Sequence, residues 1–154
     1  MKKVNTNNFK KTLSKFSTGI TVVCVKNNNS IYGKTVNSFN SLSLNPPMVL
    51  FSLGNYSSSI KKFSKTKFLS INILSSKQKK LSDNFALTEP NLEDIKFIKG
   101  KNKTVIIPNC IANLECELME KIKRGDHIIF VCKILELQSN DKLKPLVYFN
   151  SKYF

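Results

Sequence analysis

Histidine and arginine occur once each in this 154-residue chain, as His127 and Arg124, and both scarcities narrow its chemistry. One histidine rules out His-pair catalysis and a His-rich metal site. One arginine among 25 basic residues weighs against nucleic acid, even at a formal net charge of +15, because base and phosphate forks favour Arg over Lys. The lysines are scattered among many asparagines and lack the interleaved aromatics of a stacking platform, so an OB-type nucleic-acid barrel is disfavoured. Cys24, Cys110, Cys116 and Cys132 form no CxxC, and each sits in an apolar run. That suits buried, reduced thiols better than a zinc set with His127, and no metal is expected. No apolar run approaches a membrane span, and Lys2-Lys3 leads into polar residues. A cytoplasmic protein without a membrane partner is expected.

Catalytic signatures are missing too. There is no GxGxxG after a strand, no GxSxG, no HExxH, no P-loop and no nucleophile–base arrangement. An enzyme so poor in catalytic groups would leave the hard chemistry to a cofactor.

What is present is β-rich periodicity. Phe9, Leu13 and Phe16 mark an amphipathic first helix, with Thr6 as its candidate cap. Ile20 to Val25 reads as a strand, Asn27 to Asn29 as a turn and Ile31 to Asn37 as the hairpin partner. Further strands are expected over Met48–Leu53, Phe68–Leu74, Ile111–Glu120, His127–Leu137 and Leu146–Phe149, with a short helix over Ile60–Phe63. In Ile111–Glu120 the alternation puts Ala112, Leu114, Cys116 and Leu118 on one face and Asn113, Glu115 and Glu117 on the other. Ser75 and Gln78 have capping-box spacing for a helix carrying Leu81 and Phe85. Thr88 to Asn109, broken by Pro90, Gly100 and Pro108, reads as a long irregular loop. Many strands, few short helices and no βαβ rhythm predict a mainly β fold, a closed sheet or barrel, in one domain spanning 1–154.

The densest segment is Gly33 to Phe63. Were Thr35 to Ser43 extended throughout, Thr35, Asn37, Phe39, Ser41 and Ser43 would share one face, suited to a flat polar ring. Beyond Pro46-Pro47 and the run Met48–Leu53, a Gly54-Asn55 turn leads to Ser57-Ser58-Ser59. Serines at a helix start act as caps and also welcome a phosphate. A ring-binding strip followed by a phosphate-binding turn points to a nucleotide-like cofactor.

These residues resemble the flavin reductase-like family, the FMN-binding split β-barrels that reduce free flavin with NAD(P)H. The resemblance runs from Phe9–Val23 through TVNSF, SLSLNPP and the serine triplet to Phe68–Leu74, Gln78–Ala86, Gly125-Asp126-His127 and Pro145–Phe149. It implies flavin contacts from Thr35, Val36, Asn37, Ser38, Ser41, Leu42, Ser43, Ser52, Leu53, Gly54, Ser57, Ser58, Ser59, Asn84, Phe85 and Ala86. It also implies that His127 lies beside the nicotinamide, as the candidate catalytic residue, with Tyr148 and Tyr153 bordering that pocket. The cofactor would be FMN or FAD, the hydride donor NADH or NADPH, the assembly a homodimer and the partner a separate flavin-dependent oxygenase. The alternative is a split barrel that keeps its flavin without turnover, as sensor, carrier or structural flavoprotein. Three departures stand out: Lys34 where the family usually has an apolar residue, Cys132-Lys133 in place of a Gly-Arg-type step, and Phe97 where Trp is common.

Overall fold

A computed structural model describes Met1 and residues 3–154; Lys2, half of the opening basic pair, lies outside the described residues. The order is α1 (Thr6–Leu13), β1 (Thr18–Gly19), β2 (Thr21–Asn27), β3 (Ser30–Val36), β4 (Asn40–Leu44), β5 (Pro47–Gly54), α2 (Ile60–Ser64) and β6 (Phe68–Ile73). A 3₁₀ turn (Ser76–Gln78), α3 (Lys79–Ala86), β7 (Ile98–Lys99) and β8 (Val105–Ile106) follow. The chain closes with β9 (Ala112–Arg124), β10 (His127–Ser139), β11 (Val147–Phe149) and β12 (Lys152–Tyr153).

Seven strands form one antiparallel sheet in the order β3-β2-β6-β9-β10-β5-β4. Only residues 37–39 separate β3 from β4 along the chain, although these strands are the sheet's two margins. The sheet therefore curls until its edges meet at that corner, but no ladder joins them. This is the mainly β split barrel that the resemblance implies, open between β3 and β4; only the complete closure suggested by the strand pattern is not found, since no hydrogen-bonded ladder closes the sheet. A small second sheet, β1-β11-β12, carries the C-terminal hairpin, and β7 pairs with β8.

β2 shows why both faces of the sheet are covered. Val23 and Val25 enter a core inside the curl with Phe51, Phe63, Ile71 and Phe130. There Phe51 and Phe130 stack at 5.0 Å, and Phe63 meets Phe130 edge-on. Val22 and Cys24 enter a second core with Leu74, Phe85, Val105, Ile107 and Leu146. An uninterrupted apolar run is what a strand covered on both faces requires. Phe85 packs so closely against Gly33 that a Cβ there would overlap its ring. All four cysteines are free and buried, and burial pushes every thiol pKa up, Cys110 to about 11 and Cys132 to about 12.

Three local expectations change. Asn5, not Thr6, caps α1, its side chain accepting from the Asn8 N–H at 2.9 Å. The apolar face of α1 covers no core: Phe9 and Leu13 are 58% and 51% exposed, and Phe16, past the end of the helix, is 75% exposed. The 88–109 segment is not simply a loop, because it forms the β7–β8 hairpin and buries Val105 and Ile107. It covers what looked like the polar face of β9. The Asn113 side chain donates to Oδ1 of Asn72 at 2.8 Å and to the Ile107 backbone carbonyl at 3.1 Å. Glu115 accepts from the Lys101 and Asn102 N–H groups and the Thr104 hydroxyl at 3.0, 2.8 and 2.6 Å. Buried polar groups with every partner supplied fix a segment as firmly as apolar packing does.

Candidate functional site

The cleft richest in predicted site residues opens where β3 and the end of β5 face the C-terminus of α3. Thr35, Leu53, Gly54, Ser57, Ser58 and Ala86 line it, with a volume of about 250 Å³. A second cleft of about 310 Å³ shares Ser58 and Thr88 with it and adds Ser59, Tyr32 and Lys62. Taken together they reach the size usual for small-molecule sites, about 300–1,000 Å³. A larger hollow of about 520 Å³ lies against α1, lined by Phe9 and Leu13, and holds none of the predicted site residues.

The Thr35–Ser43 strip is not one extended strand, which corrects the expectation that alternate residues share a face. β3 ends at Val36, the chain turns through Asn37, Ser38 and Phe39, and β4 begins at Asn40. Val36 is buried in the inner core. Ser38 clamps β5, donating to the Ser52 carbonyl at 3.1 Å while accepting the Ser52 N–H at 3.0 Å. Ser41, Leu42 and Ser43 sit in β4, where Ser41 pairs with Val49, four residues before Leu53. At about 3.3 Å per residue that is roughly 13 Å from the cleft. The strip instead follows the open seam. Strands β3 and β4 each have a ladder on one side only, so their outward N–H and C=O groups have no strand partner, although the Ser41 N–H donates to the Asn40 side chain at 3.0 Å.

Thr35 donates to the Ser82 carbonyl at 2.7 Å, and the Ser82 hydroxyl meets the Tyr153 hydroxyl at 2.9 Å. Tyr148 packs edge-on against Tyr153 at 5.2 Å, so the C-terminal tyrosines touch the wall of the cleft through α3. The serine triplet departs from simple capping. Ser59 precedes α2 but makes no side-chain cap, and α2 is only five residues long. Ser58 donates to the Thr88 carbonyl at 3.4 Å. Ser57 lines the cleft with a buried hydroxyl that has no partner, one of two such side-chain groups among the described residues. An unpaired buried hydroxyl costs about 1–3 kcal/mol, so a ligand oxygen or N–H reached by a χ1 turn would relieve it. That is an observation in favour of a polar ligand at this position.

Asn84 and Phe85 lie outside the cleft. Asn84 holds the following loop, donating to the Asn91 carbonyl at 2.7 Å and accepting the Asn91 N–H at 3.1 Å. Phe85 is fully buried. His127 opens β10 directly opposite Gly54 of β5, which carries it to the rim of the cleft. Its Nδ1 lies 2.7 Å from the Asp126 carboxylate, whose pKa falls below its ordinary range through that hydrogen bond. The ring is 45% exposed, leaving Nε2 to solvent or ligand.

Lys34, Tyr56 and Thr88 also line the cleft, and sequence reasoning did not assign them. Lys34 was visible only as a basic residue in an apolar place. Tyr56 was detectable as the aromatic beside Gly54, where a Cβ would collide with its ring. Thr88 carried no signal. Among the described residues no cluster of His, Cys, Asp and Glu could hold a metal ion, and no helix is long and apolar enough to cross a membrane.

A split sheet with free backbone along its seam and a hydroxyl-lined cleft beside it is the architecture of one class of protein, and the chain belongs to that class. The flavin reductase-like domain family matches it over residues 13–154. The FMN reductase (NADH) SmoA of Agrobacterium fabrum is 34% identical over 137 residues, covering 89% of this chain and 79% of that protein. The reductase component of 4-hydroxyphenylacetate 3-monooxygenase from Thermus thermophilus is 30% identical, covering 94% and 93%. The solved structure of flavin reductase PheA2 in its native state superposes with a TM-score of 0.91 at 32% identity, covering 98% and 97%. The chain spans 45% of the length of another relative, a probable flavin reductase of Rhizobium meliloti.

Proposed function

We propose that the protein is a flavin reductase that oxidises NADH or NADPH, reduces FMN (or FAD) and releases it to a separate oxygenase. The observation that carries this is the coincidence of the open seam, with its unpaired backbone donors and acceptors, and the adjoining cleft with its unpaired Ser57 hydroxyl. SmoA's description as an NADH-dependent FMN reductase and the Thermus relative's as a monooxygenase component favour NADH, FMN and an oxygenase partner.

A bound flavin supplies the two-electron acceptor that the side chains lack. The chain's own part is to hold two flat rings in register, which is where such an enzyme gains most of its rate. Backbone groups of residues 35–43 would hold the polar edge of a flavin ring, with Ser38 and Ser52 keeping the corner rigid. Ser57, Ser58 and Ser59 lie at the phosphate end. Gly54 and His127 form the rim, where His127, steadied by Asp126, would orient the nicotinamide carboxamide, while Tyr148 and Tyr153 back the α3 wall of the cleft. The uncovered apolar face of α1 supports a homodimer, since Phe9, Leu13 and Phe16 otherwise remain in water.

The test is anaerobic oxidation of NADH and of NADPH with excess free FMN, FAD or riboflavin. A reductase consumes far more nicotinamide than protein. One stoichiometric reduction, or none, would establish a flavoprotein without turnover.

A further inference from the structure

Lys34 is the only charged side chain lining the cleft that contains Thr35, Ser57 and Ser58. Its ammonium donates to the carbonyls of Leu87 and, at 3.3 Å, Thr88. An ammonium has three N–H groups, so one remains uncommitted. None of the ion pairs among the described residues involves Lys34. Partial burial lowers its pKa from the ordinary 10.5, because losing part of its hydration disfavours the charged form.

The neighbouring donors converge on the same spot. The Ser58 hydroxyl donates to the Thr88 carbonyl that Lys34 also reaches, at 3.4 Å. Through that shared oxygen, Lys34 Nζ and Ser58 Oγ lie within about 7 Å of each other. Ser57 adds its unpartnered hydroxyl from the same wall. One uncommitted ammonium N–H and the unpaired Ser57 hydroxyl suit a compact oxyanion, and the Ser58 hydroxyl joins them by turning from the Thr88 carbonyl; the adjoining cleft, which shares Ser58 and Thr88, adds Lys62 and one carboxylate, Glu89.

We propose that Lys34, together with Ser57 and Ser58, binds the phosphate on the ribityl chain of the flavin and makes this protein prefer a phosphorylated flavin to riboflavin. The proposal rests on the flavin-binding reading above and deepens it. The resemblance implies an apolar residue at position 34, so Lys34 is a donor that the serine turn implied by that resemblance does not supply. Lys34 also caps the carbonyl end of α3, and a capping role alone would give no selectivity between ligands.

Equilibrium titration of the full chain with FMN, FAD and riboflavin separates the two roles. The ratio of riboflavin to FMN dissociation constants is the readout, because loss of folded protein leaves it unmoved. Wild type should favour FMN over riboflavin by at least about tenfold, the scale of one charge-assisted hydrogen bond. Lys34→Met and Lys34→Gln should each remove most of that preference and leave riboflavin binding within about twofold. Lys34→Arg should keep the preference. Gln retains a donor for the two carbonyls, so it decides the question if the Met variant fails to fold. FAD falling in parallel with FMN places its inner phosphate at the same donors; FAD unaffected confines the site to the terminal phosphate of FMN, and either result supports the proposal. A ratio unchanged in the Gln variant, equal weakening of both ligands, collapse in Lys62→Gln instead, or a wild type without preference would each overturn the role of Lys34. Failure of wild type to bind any flavin would instead overturn the flavin reading itself.

Discussion

Replacing Glu115 with Gln should loosen the 88–109 segment by an amount the geometry allows to be estimated. The carboxylate accepts from the Lys101 N–H through Oε1 and from the Asn102 N–H and Thr104 hydroxyl through Oε2. Gly100 makes this possible, because a Cβ there would run into Thr104 and the carboxylate. A glutamine is the same size but has only one acceptor oxygen. With that oxygen at the Oε2 position, the Asn102 and Thr104 bonds survive in weaker, neutral form, while the amide NH₂ confronts the Lys101 N–H. Losing one charge-assisted bond and weakening two should cost about 2–3 kcal/mol, which for a chain of this length lowers Tm by roughly 5–10 °C.

The effect should depend on pH in a defined direction. Burial pushes the Glu115 pKa up, but the Thr104 hydroxyl and the Asn102 and Lys101 N–H groups outweigh it, and the net shift is downward from 4.5. A carboxylate with a depressed folded pKa contributes stability that is complete above the unfolded value and fades as pH falls through the folded one. The gap in Tm between wild type and variant should therefore be flat near neutrality and shrink below about pH 4.5. Thermal melts across that range, with amide exchange at Lys101 and Asn102, make the measurement. Flavin affinity should hardly change, because Asn84 fixes Asn91 and the cleft end of the loop independently. A variant melting within about 1 °C of wild type at pH 7, or a gap that widens in acid, would refute the reasoning.

His127→Ala should leave flavin affinity nearly unchanged while lowering kcat/KM for the nicotinamide by roughly 5- to 30-fold, the loss of one orienting hydrogen bond of about 1–2 kcal/mol. Unchanged steady-state kinetics would make the residue an ordinary member of the Gly125 hairpin. The exposed face of α1 predicts that wild type sediments as a dimer and that Phe9→Ser with Leu13→Ser shifts it toward monomer; a double variant that stays dimeric would put the interface elsewhere.

Much of the fold was legible locally. The apolar run of β2, the Gly125 turn at φ 55° and the Ser75–Gln78 capping box all appear where the sequence puts them. Each depends on residues within a few positions of one another, as propensity, side-chain period and capping do. The burial of the cysteines follows from the same apolar runs. Resemblance picked out six residues that do meet at one cleft, but only Leu53 to Ser58 are near one another in sequence; Thr35 and Ala86 are brought to them by the packing of α3 on β3.

Tertiary structure decided the rest. Asn113 and Glu115 look like the solvated face of a half-buried strand, yet they are only 5% and 4% exposed. The loop that covers them carries its matching donors on residues that periodicity cannot assign to any element. Lys34 reads as a misplaced surface lysine until the fold carries it to the Leu87 and Thr88 carbonyls, more than fifty residues along the chain. Likewise, nothing local distinguishes a closed barrel from a split one. The strand pattern sets which faces are apolar, but only the corner at 37–39 sends the chain from one sheet margin to the other. The backbone along that seam is left unpaired because ladders form between whole strands distant in sequence, and no single strand records which of its edges will find a partner.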